Sequence, residues 1–435
     1  MVLASSSILL LLFLSLASFC ISNDQLSPAK PLVFPDDKLI SNNGFFALGL
    51  FAPTNSSTRC YVGVWYNKDP KRTVVWVANR DNPITISSPS STILAVTNRS
   101  ELVLSDREGH VYWSTPSTRG AGATGVNAAL LNEGNLVVRS LNGTILWQSF
   151  DHPIDTVLSG MMIRMNYRTR PTVRLVSWKG LEDPSTGDFS ISVDVSSGIQ
   201  FFVLNGSSLT WRSPPLNRLT TANSYQMRNT RSMVITSIVV NGDEISLSYS
   251  VPDGSPAMHA KIAYSGRYEF RIWNDSASSW TFAFAHPGPG CDRYASCGAF
   301  SYCDNREAVP TCKCLDGFEP NWTATTSGGC VRKEPLRCGE EDNFVILKDV
   351  KTPAMPVFVR NRSFDGCTME CLGNCSCTGY AYTNLSNAIS GGDQSRCFLW
   401  FGELLDIGKY QQGQITGDDL YLRLPGSTGT ASSVC

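Results

Sequence analysis

Thiols are the side chains most able to do chemistry here. Of 15 cysteines, none lies between Cys60 and Cys291, and twelve crowd the last third: Cys291, Cys297, Cys303, Cys312, Cys314, Cys330, Cys338, Cys367, Cys371, Cys375, Cys377 and Cys397. Such a cluster either oxidises to disulfides or holds a metal, and compartment decides which. Histidine, the usual co-ligand of zinc, occurs only as the scattered His110, His152, His259 and His286. No metal is expected, therefore, and six cysteines in one block still leave about fifteen possible pairings. A second constellation, Ser149 with Asp151, His152 and Asp155, has the types of an acid–base set. It lacks a nucleophile elbow or oxyanion loop, and Pro153 makes the stretch a turn. Phosphate-binding glycine loops and kinase signatures are also missing, so no catalysis and no cofactor are expected.

The compartment is read from the N-terminus. The run Ile8 to Ala17 is apolar but short, and the small residues Cys20 and Ser22 precede Asn23. This pattern predicts a secretory signal peptide over residues 1–22 and an oxidising lumen for the cysteines. N-glycosylation sequons at Asn55, Asn98, Asn142, Asn205, Asn274, Asn321, Asn361, Asn374 and Asn384 agree with export. Near-balanced charge, 36 basic against 37 acidic residues, gives no reason to expect nucleic acid. No further apolar run of spanning length precedes Cys435, which predicts a soluble mature product.

The elements that must carry these modules are strands. From Leu32 to Pro287 the chain is rich in Val, Ile, Phe, Trp and Thr, punctuated by turn residues. Two units echo one another: Leu102-Val103-Leu104 leads over a turn to Trp113, and Leu136-Val137-Val138 leads likewise to Trp147. A single hairpin cannot bury its apolar face, so several must share a core, and Trp65, Trp76, Trp113 and Trp147 are expected in that core or in the packing between hairpins. The stretch Phe270 to Trp280 repeats the spacing, so residues 151–287 read as a second, degenerate copy. The polar stretches 207–226 and 251–261 read as loops. Cys60 is expected to be a buried thiol, and the Gly/Ser/Thr tail 425–435 carries Cys435 with no core-forming residues.

Three phrases then carry a specific resemblance: Val74-Val75-Trp76-Val77-Ala78-Asn79-Arg80-Asp81-Asn82-Pro83, Gly134-Asn135-Leu136-Val137-Val138, and Trp147-Gln148-Ser149-Phe150-Asp151-His152-Pro153 through Thr156. They resemble the plant S-locus glycoprotein family and the extracellular half of the S-domain (G-type lectin) receptor-like kinases. The resemblance implies a mainly β chain: a bulb-lectin β-prism (23–150), a related β S-locus region (151–287), an EGF-like module (288–331) and a PAN/apple module of small sheet plus helix (338–424). It also implies the disulfides Cys291–Cys303, Cys297–Cys312, Cys314–Cys330, Cys367–Cys397 and Cys371–Cys377, with Cys338–Cys375 as the remaining pair. Cys367 and Cys371, four apart, would share one face of a short helix. Calcium-binding EGF modules carry acids before the first Cys, whereas His286-Pro287-Gly288-Pro289-Gly290 stands here, so no calcium is expected.

The residues speak against a working mannose site. Bulb lectins hold mannose on a Gln-x-Asp-x-Asn-x-Val-x-Tyr strand, and this chain offers Leu131, Glu133, Asn135, Val137 and Arg139. The earlier echo, Thr97, Arg99, Glu101, Val103 and Ser105, keeps only the Val. Each lost partner leaves a sugar hydroxyl unpaired at about 1–3 kcal/mol, so this strand is a degraded sugar site and Asn135 a strand-and-turn residue. The resemblance implies recognition of a secreted peptide, a small molecule or a microbial or pollen-derived signal, in the apoplast or at the outer face of the plasma membrane, with a homodimer or co-receptor as possible partners. The alternative is a secreted mannose-binding lectin acting alone.

Overall fold

The computed structural model describes residues 24–85, 92–117, 125–166, 174–194, 200–215, 222–226, 233–241, 244–321, 328–338, 342–384, 395–410 and 417–426. The expected signal peptide, Cys20 and Cys435 lie outside them. The chain divides between Ser149 and Phe150 into two compact units.

Among the described residues, the first unit consists of three sheets. One pairs Leu39–Ile40, Phe46–Phe51, Arg59–Tyr66 and Val74–Val77 in order, with Ile84–Thr85 added to Arg59–Tyr66. The second runs Val111–Ser114, Leu102–Ser105, Ile93–Val96, Leu32–Val33, and the third Gln25–Leu26, Val126–Leu130, Leu136–Ser140, Ile145–Gln148. Strand alternation sends every second side chain inward. Val64 pairs with Trp76, Leu104 with Trp113 and Val138 with Trp147. Each sheet thus delivers one indole to the centre, where Trp76, Trp113 and Trp147 meet edge-on at 5.6, 6.0 and 5.7 Å between centroids. Edge-to-face contacts at this range add to the area they bury. Trp65 is buried as well, but on the other side of its sheet: one residue beyond Val64, it takes the opposite face and lies against Gly49, where a Cβ would sit 2.8 Å from its Cη2.

The second unit repeats the plan. Three four-stranded antiparallel sheets occupy its first part: Thr156–Leu158 with Met258–Ile262, Tyr268–Asn274 and Ser279–His286; Met162–Asn166 with Glu244–Ser250, Met233–Asn241 and Ala222–Gln226; and Leu175–Gly180 through Ser208–Arg212 in sequence order. The stretches read as loops are only partly so. Ser208–Arg212, Ala222–Gln226 and Met258–Ile262 are strands, and Met258, His259 and Ala260 are fully buried, because short alternating segments with a polar outer face look like loops in isolation.

After Pro287 the cysteine-rich segments share one sheet. Ser301–Asp304 and Thr311–Cys314 form a hairpin, and Ser301–Asp304 pairs in parallel with Ile407–Lys409, which continues through Asn343–Lys351, Asp418–Leu424, Cys377–Asn384 and Ser395–Phe401 to Val357–Val359. Leu315, Phe318 and Cys330 from the first segment pack in one cluster with Leu347, Val350, Phe398, Trp400 and Leu420 from the second. A segment of some forty residues has too little apolar volume for its own core and borrows its neighbour's. The helix Phe364–Leu372 begins at Ser363, whose Oγ accepts the Gly366 N–H at 3.0 Å, and buries Cys367 and Cys371 completely. Among the described residues no helix is long and apolar enough to cross a membrane.

Candidate ligand-recognition surfaces and the junction that frames them

The strand expected to be a degraded sugar site lies in the third sheet of the first unit. Asn135 is buried, its Nδ2 donating to Gln148 Oε1 at 2.9 Å and its Oδ1 accepting from Ser149 Oγ at 3.2 Å. Its carbonyl accepts the Leu131 N–H at 2.9 Å, closing the turn through Gly134. Val137 is fully buried, Arg139 Nε donates to Asn127 Oδ1 at 3.3 Å, and Glu133 stands exposed in the turn. Asn135, Val137 and Arg139 are thus engaged by the sheet, while Glu133 faces solvent.

A second surface of this unit had no sequence signal. Between residues 35–38 and the hairpin loop 67–72 lies a pocket of about 520 Å³, with Trp65 and Gly49 behind it and Asp36, Lys38, Asn67 and Arg72 at its rim. The Arg72 guanidinium carbon is 6.0 Å from the centre of the Trp65 ring.

The supposed acid–base set is dispersed among structural partners. Ser149 Oγ accepts the Leu136 N–H at 2.9 Å, Asp151 pairs with Arg164 at 3.5 Å on the surface, and buried Asp155 pairs with Lys261 at 3.0 Å. Lys261 in turn lies 4.9 Å over the Trp178 ring.

The cysteine block forms Cys291–Cys303, Cys297–Cys312, Cys314–Cys330, Cys367–Cys397 and Cys371–Cys377. The sulfurs of Cys291, Cys297 and Cys312 are mutually within 4.8 Å, but each is already bonded, which removes the thiolate that a metal takes. One pairing differs from expectation. Cys338 and Cys375 are exposed free thiols, joined by a hydrogen bond that raises the Cys338 pKa; the chain brings them side by side without the covalent bond. Cys60 is a buried thiol, its pKa raised by burial. Seven sequon asparagines, Asn55, Asn98, Asn142, Asn205, Asn274, Asn361 and Asn374, are exposed, and Asn321 is half-buried. Asn384 ends a strand, its side chain outside the described residues.

A network of buried ions joins the parts of the second unit, and sequence reading missed it. Arg212, at the end of a strand of the β region, places Nε 2.8 Å from Asp406 Oδ2 and donates through Nη2 to Asp406 O at 3.0 Å and to Thr352 O. Lys351 Nζ reaches the same carboxylate at 2.9 Å. Nearby, Asp292 Oδ2 contacts His286 Nδ1 at 2.9 Å and accepts the Gly288 N–H at 2.6 Å, while its Oδ1 accepts from Tyr410 Oη at 3.1 Å. The His286 ring stacks on Trp211 at 4.6 Å. Burial alone would raise the Asp292 carboxyl, but His286, Lys351 and the Gly288 N–H outweigh it and hold the pKa at about 2. Burial lowers the Lys351 pKa against the pull of Asp406, and burial with Asp292 and Asp406 pushes Tyr410 well above its ordinary value. Further on, Arg423 and Asp342 pair at 3.0 Å with no exposed side-chain surface, and Arg423 also donates to the carbonyls of Cys371 and Asn374 at the end of the helix. The only sequence hint was a charge set within apolar strands, as in Leu422-Arg423-Leu424.

Three family models match the chain: D-mannose binding lectin over 73–179, S-locus glycoprotein domain over 211–322 and PAN-like domain over 338–407. The chain is 35% identical to S-locus-specific glycoprotein BS29-2 of Brassica oleracea var. alboglabra, over 97% of its own length and 96% of that protein's. It is also 35% identical to the receptor-like serine/threonine-protein kinase SD1-7 of Arabidopsis thaliana, over 96% of its length but 48% of the kinase, so it spans about half of such relatives. Among solved structures, a Marasmius oreades lectin matches 29% of the chain and 90% of itself at 18% identity and a TM-score of 0.23.

Proposed function

From the premise that the chain belongs to the S-locus glycoprotein family, we propose that it is a non-catalytic, extracellular recognition region that binds a secreted peptide or another extracellular signal. The observation that carries this reading is the match over nearly the whole of both chains to an S-locus-specific glycoprotein, whose length leaves no room for a kinase half. The cystine-rich end supports an oxidising compartment, and Ser149 and Asp155, two of the residues with acid–base potential, are held in structural contacts. A mannose-binding lectin acting alone is less well supported, since the Asn135 amide is held by Gln148 and Ser149. In receptor-kinase relatives the matching region is joined to a kinase, and this chain would serve the same recognition step, through a co-receptor or a second copy.

Two measurements test the reading. Intact-protein mass spectrometry and non-reducing peptide mapping of secreted material should find residues 1–22 removed and Cys314 linked to Cys330; a reduced intracellular product overturns it. On a glycan array, strong mannose binding abolished by Asn135→Ala in a folded protein would favour the lectin reading instead.

A further inference from the structure

We propose that the pocket between residues 35–38 and the loop 67–72 binds a zwitterion of the amino-acid class, its ammonium held by Asp36 and Asp37 and its carboxylate by Arg72 with Lys38. This rests on the recognition reading above and names one ligand class for it.

Both walls are set before a ligand arrives. On one, the Asp37 N–H donates to Val33 O at 3.1 Å and Asp37 Oδ2 accepts the Val33 N–H at 2.8 Å, which closes the turn that carries Asp36. On the other, Asp69 accepts the Lys71 and Thr73 N–H groups at 2.9 and 3.0 Å. The Arg72 N–H donates to Asp69 O at 2.9 Å and holds Arg72 at a left-handed φ of 50°. Loops fixed in this way leave a ligand little ordering entropy to overcome. The back is apolar: a Cβ at Gly49 would meet Trp65 Cη2 at 2.8 Å and Lys38 Cβ at 3.4 Å, so glycine here lets the indole and the lysine stem pack together.

What the walls leave over is charge of both signs. Asp36, Lys38 and Arg72 are exposed, Asp37 is half-buried, and none of the four makes an ion pair among the described residues, although all line one pocket. Asp37 keeps Oδ1 beyond its turn bond. The fifth charged group of the lining, Asp69, is buried and spent on its own loop. The Arg72 guanidinium carbon, 6.0 Å from the centre of the Trp65 ring, lies over the apolar back.

That inventory selects the ligand class. A simple cation taken by the two acids would sit beside Lys38 and Arg72, and a simple anion taken by those bases would sit beside the acids. A neutral molecule brings no opposite charge to either. A molecule with an ammonium and a carboxylate pairs with both, and hydrogen bonds between ions are the strong ones. Its apolar part has Pro35, Leu50, Trp65 and Pro70 to lie against, in a volume of about 520 Å³ that is ordinary for a small-molecule site.

Saturation-transfer NMR of the intact chain with L-phenylalanine and with glycyl-L-phenylalanine tests this, the first standing for a free amino acid and the second for a short peptide. At least one should bind saturably. The same ligand with its amine acetylated, or with its carboxylate amidated, should bind about tenfold more weakly, the loss of one charge-assisted hydrogen bond, and blocking both ends should abolish binding. Two surface variants separate the walls, each with unchanged near-UV circular dichroism. Asp36→Asn should weaken the zwitterion and the amidated form but not the acetylated one, and Arg72→Ala should do the reverse. The proposal is overturned if neither zwitterion binds, if the doubly blocked form binds equally well, or if binding survives Asp36→Asn combined with Arg72→Ala. Each such result removes this site and leaves recognition through other surfaces standing, whereas the recognition reading itself fails on a reduced intracellular product.

Discussion

Asp292 makes the junction of the second unit sensitive to acid, and the size of the effect follows from its surroundings. Its carboxyl, 4% exposed, would be raised by burial, but His286, Lys351 and the Gly288 N–H outweigh that and bring its pKa from an ordinary 3.8 to about 2. At about 1.4 kcal/mol for each tenfold change in proton affinity, the difference is worth about 2 kcal/mol to the folded state. The sign is that of a depressed carboxylate: the stabilisation is complete above pH 3.8, the value for the unfolded chain, and disappears as pH falls toward 2. Asp292→Asn keeps the shape and removes the titration. Guanidinium denaturation of the disulfide-intact protein at constant ionic strength, at intervals from pH 5 to pH 2, should show wild type losing about 2 kcal/mol more than the variant across that window. Other carboxylates titrate equally in both proteins and cancel. Parallel stability curves for the two proteins would refute the argument, because they would mean that His286 and Gly288 hold the carboxylate no better than water does.

Three further outcomes are expected. Trp147→Ala removes one member of the edge-on triad, so the first unit should lose about 3–5 kcal/mol in denaturant; a loss under about 1 kcal/mol would show that the triad is not the core. Asp406→Asn strands Arg212 and Lys351 without their shared carboxylate and should lower the stability of the second unit by about 3–5 kcal/mol, whereas a neutral result would contradict the buried geometry. Replacing Cys367 and Cys397 together by Ala opens a loop of 30 residues in sequence separation. The expected cost is about 2–4 kcal/mol, read as earlier melting of the helix end on calorimetry.

The sequence revealed what repeats and what is local. The spacing of Leu102, Val103 and Leu104 to Trp113, matched at Leu136 and Trp147, led to hairpins sharing a core, and Cys367 with Cys371 led to one helical face. What stayed hidden depends on pairing between distant segments. Trp65 and Trp76 look alike in sequence, and only the register of Val64 opposite Trp76 shows that Trp65 must face outward. The three-residue strand Ile407–Lys409 carries no local signal, yet it fuses the two cystine-rich segments by pairing in parallel with Ser301–Asp304. The rim of the pocket unites residues some thirty positions apart, through loops whose charged composition reads as ordinary solvent-facing turn. Nor could composition foresee buried charges, since Arg212, Lys351 and Arg423 are residue types that seldom lose contact with water.

Those buried charges show how the second unit can hold one arrangement of its parts. An apolar junction would tolerate sliding, because hydrophobic contact is non-directional. Asp406 instead receives Arg212 from the β region and Lys351 from the cystine-rich sheet on one carboxylate oxygen, at 2.8 and 2.9 Å. Displacing either element leaves a charge buried without its partner, which is far more costly than losing the net benefit of the pair. Asp292 repeats the device beside it, linking His286 at the end of one strand to Tyr410 just after another. On the proposed recognition role, such a frame would display loops at fixed positions, and a substitution at the junction should alter ligand binding only by loosening the frame. Asp406→Asn therefore ought to reduce affinity and stability together, and a variant that lost binding while retaining full stability would place Asp406 in the ligand's path.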